Sequence, residues 1–158
     1  MTEHVIKNAT PTPGGGATAT LDDGTVLTLS DHAYKAWQNA ARVHPNIIVR
    51  GSGSCGSDYV FVSSTGNHQA EFSTGFTVNG DAVDYTWQLE LIDNYGNSTY
   101  DRGGPLDFRS QWDSGPEVYT GGGNGPLDIT VVTPSSFAIL DSGTVCFGYP
   151  VSAPTYIF

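Results

Sequence analysis

Residues 70–92, AEFSTGFTVNGDAVDYTWQLELI, decide the fold of this chain. Val83, Tyr85, Trp87, Leu89 and Leu91 are apolar, and Asp84, Thr86, Gln88 and Glu90 between them are polar. Strict alternation of this kind is the mark of a strand with one buried and one wet face. Upstream, Asn79-Gly80 is the preferred dipeptide of a type I′ hairpin turn, which needs φ > 0 twice. With Val78 opposite Asp81, Phe76 faces Val83, Thr74 faces Tyr85, Phe72 faces Trp87 and Ala70 faces Leu89. The same register sets Glu71 against Gln88 and Ser73 against Thr86, so both strands keep one apolar and one polar face. The sequence therefore predicts a hairpin about Asn79-Gly80.

Working outward, similar strand signals recur at short intervals. Ala17 to Ser30 reads as a hairpin about Asp22-Asp23-Gly24. Ile47 to Arg50 and Tyr59 to Ser63 are short apolar runs. Ser98 to Asp101, Leu106 to Trp112, Leu127 to Val131, Phe137 to Leu140 and Thr144 to Phe147 follow, separated by turn residues. Gly104-Pro105-Leu106-Asp107 recurs as Gly125-Pro126-Leu127-Asp128, which reads as two strands entered through one Gly-Pro device. One helix is expected over 31–43. Ser30 supplies an N-cap, Asp31 sits in the first turn, and Ala33, Tyr34, Trp37, Ala40 and Ala41 share one face. His44-Pro45 ends it. This pattern predicts an all-β, antiparallel β-sandwich of jelly-roll type with one short helix. The domain spans 17–148, with an extended arm over 1–16 and an extended tail over 149–158.

Composition narrows the function. The net charge is −10, from 16 acids against six cations, and only 14% of residues are charged. No basic cluster offsets that charge, so nucleic acid and anionic membranes are disfavoured partners. No run approaches the ~20 apolar residues of a membrane-spanning helix. The opening Met1-Thr2-Glu3-His4 is polar and no apolar leader follows, so the expected product is made in a cytosol and leaves, if it does, in a virion or by lysis. In that setting Cys55 and Cys146 read as two buried free thiols in preference to a disulfide, although a bridge would close most of the domain.

Catalytic signatures are weak. Gly51-Ser52-Gly53-Ser54-Cys55-Gly56 fits G-x-G-x-x-G, yet Tyr59-Val60-Phe61-Val62 after it is strand, where a dinucleotide site needs a helix. Cys55 with the distant His68 offers a nucleophile–base pair in principle, but a buried or merely exposed cysteine is far commoner. No enzyme activity is expected. Asp93, Asn94, Asn97 and Asp101 surround Gly96 and offer oxygen ligands to Ca²⁺, though the same residues make ordinary hairpin turns. Tyr95, Asn97, Tyr100, Trp112 and Tyr119 lie among Asp, Asn and Gly, the mixture that stacks and hydrogen-bonds a sugar ring. Against that, Trp112 is also the last inward residue of its strand.

The termini set the functional expectation. Tyr149, Val151, Tyr156, Ile157 and Phe158 would expose a large apolar surface, and Pro150 and Pro154 keep the tail extended. A structural assembly protein, such as a capsid or tail component associating with protein subunits through its ends, fits this best. The alternative is a carbohydrate-binding module or lectin that uses the aromatic loops.

Overall fold

A computed structural model describes residues 1–43 and 55–158. The expected strand Ile47 to Arg50, the helix stop at His44-Pro45 and the glycine-serine run before Cys55 lie outside the described residues. In chain order the elements are β1 (Thr2–Pro11), β2 (Ala17–Leu21), β3 (Val26–Leu29), α1 (Asp31–Val43), β4 (Gly56–Gly66) and β5 (Gln69–Asp93). After these come β6 (Gly96–Asp113), β7 (Glu117–Thr120), β8 (Gly125–Val131), β9 (Phe137–Leu140), β10 (Thr144–Phe147) and β11 (Ser152–Ile157).

The fold is mostly β, with antiparallel sheets of three and eight strands and one short helix. β1 joins the two sheets. Its first half pairs with β10 and its second half with β2, so the stretch expected as an arm is extended but paired along its length. The β2–β3 hairpin, the β9–β10 hairpin and β8 form where the alternation places them. Gly125-Pro126 opens β8, whereas its echo Gly104-Pro105 lies within β6.

The expected hairpin at Asn79-Gly80 is absent. Residues 69–93 are one long strand, β5, and the two-residue turn lies upstream at Asn67-His68, joining β4 to β5. Both turn residues hold left-handed φ values, 55° and 60°, as a type I′ turn requires. Alternation misled because β5 carries a bulge. Ala82 faces Leu140 and Asp84 faces Ile139, which leaves Val83 as the extra residue. A bulge turns the following side chains to the other face. Ala70, Phe72, Phe76 and Val78 are therefore buried on even numbers, and Tyr85, Trp87, Leu89 and Leu91 on odd ones. A two-residue turn would give the same change of phase. The bulge also corrects Asp84: expected on the wet face, it is only 1% exposed.

Two cores result. The larger gathers Phe72, Phe76, Trp87, Leu89, Leu127, Ile129 and Ile157, from both halves of β5 and from β8 and β11. The smaller gathers Leu21, Leu27, Leu29, Ala33, Phe137, Ile139, Val145 and Phe147. β9 and β10 are buried at every residue because they serve both cores, Ala138 and Cys146 facing one, Phe137 and Val145 the other. The helix α1 covers the smaller core. Ser30 Oγ accepts the Ala33 amide at 3.0 Å as an N-cap, and Tyr34 and Trp37 stack at 6.0 Å against that core.

The expectation of free thiols is overturned. Cys55 and Cys146 form a disulfide across 91 residues, tying the entry of β4 to β10. The tail is also placed. β11 pairs with β8 at the sheet edge, where Pro154 stands opposite Asp128 and its missing N–H breaks no central ladder. Ile157 is fully buried, while Tyr149, Val151, Tyr156 and Phe158 remain exposed.

Candidate functional site

The irregular part of the larger sheet lies where β6 passes along β5. Gln111 faces Thr77, but the next pair is Arg109 with Ala82, so Val78 to Asp81 stand against Ser110 alone. After that pair, Leu106, Asp107 and Phe108 stand against Val83, before Pro105 meets Asp84. Asp107 and Phe108 hold left-handed φ values of 49° and 64°. An aspartate tolerates that region, whereas for a phenylalanine it is a strained outlier. Leu106 drops into the core and Phe108 is left 63% exposed. Such double bulges re-aim side chains beside binding sites.

A cleft of about 550 Å³ opens beside this irregularity. Its apolar wall is aromatic, formed by Phe76, Trp112 and Tyr59. Trp112 packs on Tyr85 with ring centroids 4.8 Å apart and on Phe76 at 5.9 Å. Tyr59 can lie across β5 because residue 75 is glycine: a Cβ there would stand 3.0 Å from Tyr59 Cε1 and 2.4 Å from the Trp112 carbonyl oxygen. The polar rim is Arg109, Gln111 and Asp113 from β6, and Asp58 from β4 also lines the cleft with its side chain buried.

The two carboxylates are engaged within the protein. Asp113 Oδ2 accepts the Tyr59 hydroxyl, and Asp113 Oδ1 accepts the Gly115 amide at 2.7 Å. Burial, reinforced by the adjoining Asp113 carboxylate, raises the Tyr59 phenol above its usual range. Asp58 Oδ2 accepts the Tyr149 amide at 3.1 Å, and its Oδ1 stands 3.8 Å from the Met1 ammonium. Burial raises the Asp58 carboxyl, and the ammonium partly opposes it. An aromatic wall with amide, carboxylate and guanidinium groups at its rim stacks a flat apolar face and hydrogen-bonds hydroxyls around it.

Of the five residues expected to bind a ligand, only Trp112 lines this cleft. Tyr100 is locked elsewhere. Its hydroxyl donates to Glu117 Oε1 at 2.7 Å, its ring meets Phe72 edge-on, and Arg102 covers it at 4.1 Å. Burial, with Glu117 beside it, pushes the Tyr100 phenol up to about 12. Tyr119 donates its hydroxyl to Asp93 Oδ2 at 3.0 Å. The Tyr95 ring lies against Gly122 and Gly123, where added Cβ atoms would come within 2.7 Å and 2.6 Å of it. Asn97 Nδ2 donates to Glu90 at 3.2 Å. Tyr119 and Tyr95 tie the β5–β6 turn to β7 and to the segment after it, and Tyr100 ties β6 to the start of β7.

The oxygen ligands expected for Ca²⁺ do not converge either. Asp93 Oδ1 accepts the amides of Tyr95 and Gly96, and those backbone bonds hold its carboxyl below the usual range. Asp101 pairs with Gln88 and accepts its Nε2 at 2.7 Å, whereas Asp93 pairs with Gly96 at the turn. Five strand residues separate the two, about 17 Å, too far for one ion with ligands at ~2.3–2.6 Å. The Asn94 side chain packs on Gly125, where a Cβ would be 2.2 Å from its Nδ2.

Sequence reasoning missed two polar groupings. His32 Nδ1 lies 2.6 Å from buried Asp84 Oδ2, a pairing that the bulge at Val83 creates and no sequence spacing announces. Burial raises the Asp84 carboxyl, and the His32 bond opposes that rise. His4 Nδ1 stands 3.1 Å from Asp22 Oδ1 and 3.5 Å from Asp23 Oδ2, with His4 half-buried and both aspartates exposed. Asp23 also accepts the Thr25 amide and hydroxyl, as a turn residue does.

No protein-family model matches the chain, and no curated protein matches it significantly.

Proposed function

We propose that this protein is a non-enzymatic saccharide-binding module whose site is the cleft beside Trp112. The observation that supports it is the joint placement of Trp112 and Tyr59 on one wall with Arg109, Gln111 and Asp113 at the rim. Sugar rings present an apolar face that stacks on aromatics and equatorial hydroxyls that need both donors and acceptors. The fold in this reading is a β-sandwich of jelly-roll type, the two halves of β5 lying in opposite layers around the larger core. The disulfide favours residence outside a reducing cytosol, where such bridges persist.

A glycan array, followed by titration of the best hit, tests the reading. Trp112→Ala should abolish binding while the fold persists, as monitored by circular dichroism. Binding that survives this substitution would place the site elsewhere.

Assembly is the second reading, supported by the exposed Tyr149, Val151, Tyr156 and Phe158 around the C-terminal strand. In that reading the protein joins other subunits, in a virion or similar particle, through this end. Light scattering on the full chain tests it directly, and a monomer across a wide concentration range counts against it.

A further inference from the structure

We propose that the ligand of the cleft is an acidic saccharide, with Arg109 recognising its carboxylate. The inference rests on the saccharide reading and adds a ligand class to it. The chain holds 16 acids and six Lys or Arg residues, so cations have ample partners. Lys35 pairs with Asp31 at 2.6 Å, and Arg102 pairs with Glu117 at 3.1 Å. Among the described residues, no carboxylate lies within ion-pair distance of Arg109 or of Lys7 on β1, and of these two only Arg109 lines the cleft.

The local arrangement explains why. The two carboxylates lining the cleft with Arg109 are held by other donors. Asp113 is taken by the Tyr59 hydroxyl and the Gly115 amide, and Asp58 by the Tyr149 amide beside the Met1 ammonium. The double bulge places Arg109 between two slips of the β5–β6 ladder, with its backbone pinned opposite Ala82. Its planar fork of N–H donors matches a carboxylate with two parallel hydrogen bonds, a geometry that a neutral hydroxymethyl group cannot supply. A uronic acid would set its ring face on Trp112 and its carboxylate on Arg109.

Matched sugars isolate the carboxylate. Glucuronate against glucose, and galacturonate against galactose, differ only at C6, and acetate serves as the bare anion. Each is titrated into the full-length isotope-labelled protein, with the Trp112 indole and Arg109 side-chain signals followed by NMR. The uronates should bind about tenfold more tightly than their neutral partners, and more tightly than acetate. Arg109→Gln should bring the uronates down to the neutral sugars while the Trp112 signal still moves. Equal affinities for acidic and neutral sugars would overturn this inference and leave the saccharide reading standing. Acetate binding as tightly as the uronates, or a preference unchanged in Arg109→Gln, would also overturn it. No response at Trp112 to any sugar would remove both readings together.

Discussion

Trp87 Nε1 donates a 2.9 Å hydrogen bond to Thr74 Oγ1, although both residues belong to one strand, β5, and lie 13 residues apart. In a straight strand that separation spans about 43 Å. β5 is therefore strongly bent between these residues, and the bend brings its two halves together at Trp87 and Thr74. Phe76 completes the contact, with its ring 5.0 Å from Trp87 and 5.8 Å from Tyr85. The neighbours of the bend fix it in place: Cys55 O accepts the Asn79 amide and Asp81 O accepts the Asp141 amide, each at 2.8 Å.

Trp87→Ala should accordingly cost ~3–5 kcal/mol, because it empties the space between the two halves of β5. Trp87→Phe keeps an aromatic ring but strips Thr74 Oγ1 of its donor, for a cost of ~1–3 kcal/mol. Urea denaturation of both variants measures this. A cost below ~1 kcal/mol for the alanine variant would mean that the halves do not close on Trp87.

The turn assignment separates two other positions. His68 holds φ near 60° without being glycine, so His68→Gly completes the preferred Asn-Gly turn and should stabilise the fold by ~0.5–1 kcal/mol. Gly80 holds no positive φ, and an added Cβ would meet only the flexible Leu140 side chain, at 3.1 Å. Gly80→Ala should therefore cost less than ~1 kcal/mol. The opposite ranking of melting temperatures would restore the turn to Asn79-Gly80.

Reduction of the Cys55–Cys146 bridge frees a loop with a sequence separation of 91. The chain-entropy model assigns ~4–5 kcal/mol to a closure of this length. Calorimetry on oxidised protein, and on protein unfolded and refolded under reductant, should differ by roughly 10–18 °C in Tm. Equal melting temperatures would leave the bridge without a stabilising role.

How far the sequence carries follows from the same elements. The alternation from Val83 to Leu91 correctly marks a strand, and the buried set Tyr85, Trp87, Leu89 and Leu91 is right. It also brings Thr74 and Phe76 near Tyr85 and Trp87, as the structure does, but as partners in a hairpin ladder, where the structure joins them through side-chain contacts. The reason is that period two records which face a residue uses, not whether the change of phase comes from a turn or from a bulge. The same limit hides Asp84 and its contact with His32. In the site, Trp112 could be singled out because an aromatic at a strand end near polar residues is a local feature. Tyr59, Arg109 and the left-handed Asp107-Phe108 pair could not. They meet only through long-range ladder slips that leave no spacing in the chain. The disulfide is illegible for another reason: the polar N-terminal residues say nothing of pairing, which depends on which strands become neighbours.

The C-terminal strand distinguishes the two functional readings, because its residues divide cleanly by environment. Ile157 is buried beside Gly121, where an added Cβ would come within 2.3 Å of its Cδ1, and the Phe158 carbonyl accepts the His68 amide at 2.9 Å. Ile157→Ala should cost ~2–4 kcal/mol, and removing residues 150–158 should cost more, since Leu127 and Ile129 then lie at the uncovered sheet edge. Both losses are intramolecular and should appear equally at every protein concentration. Tyr156 and Phe158 are exposed, so Tyr156→Ser with Phe158→Ser should leave stability within ~0.5 kcal/mol of the parent. Their effect on mass is the decisive measurement. If the parent associates in light scattering and the double variant is a monomer with unchanged melting, the exposed rings are an assembly surface. If both chains are monomers, the tail serves only to complete its own sheet, and the cleft beside Trp112 carries the function alone.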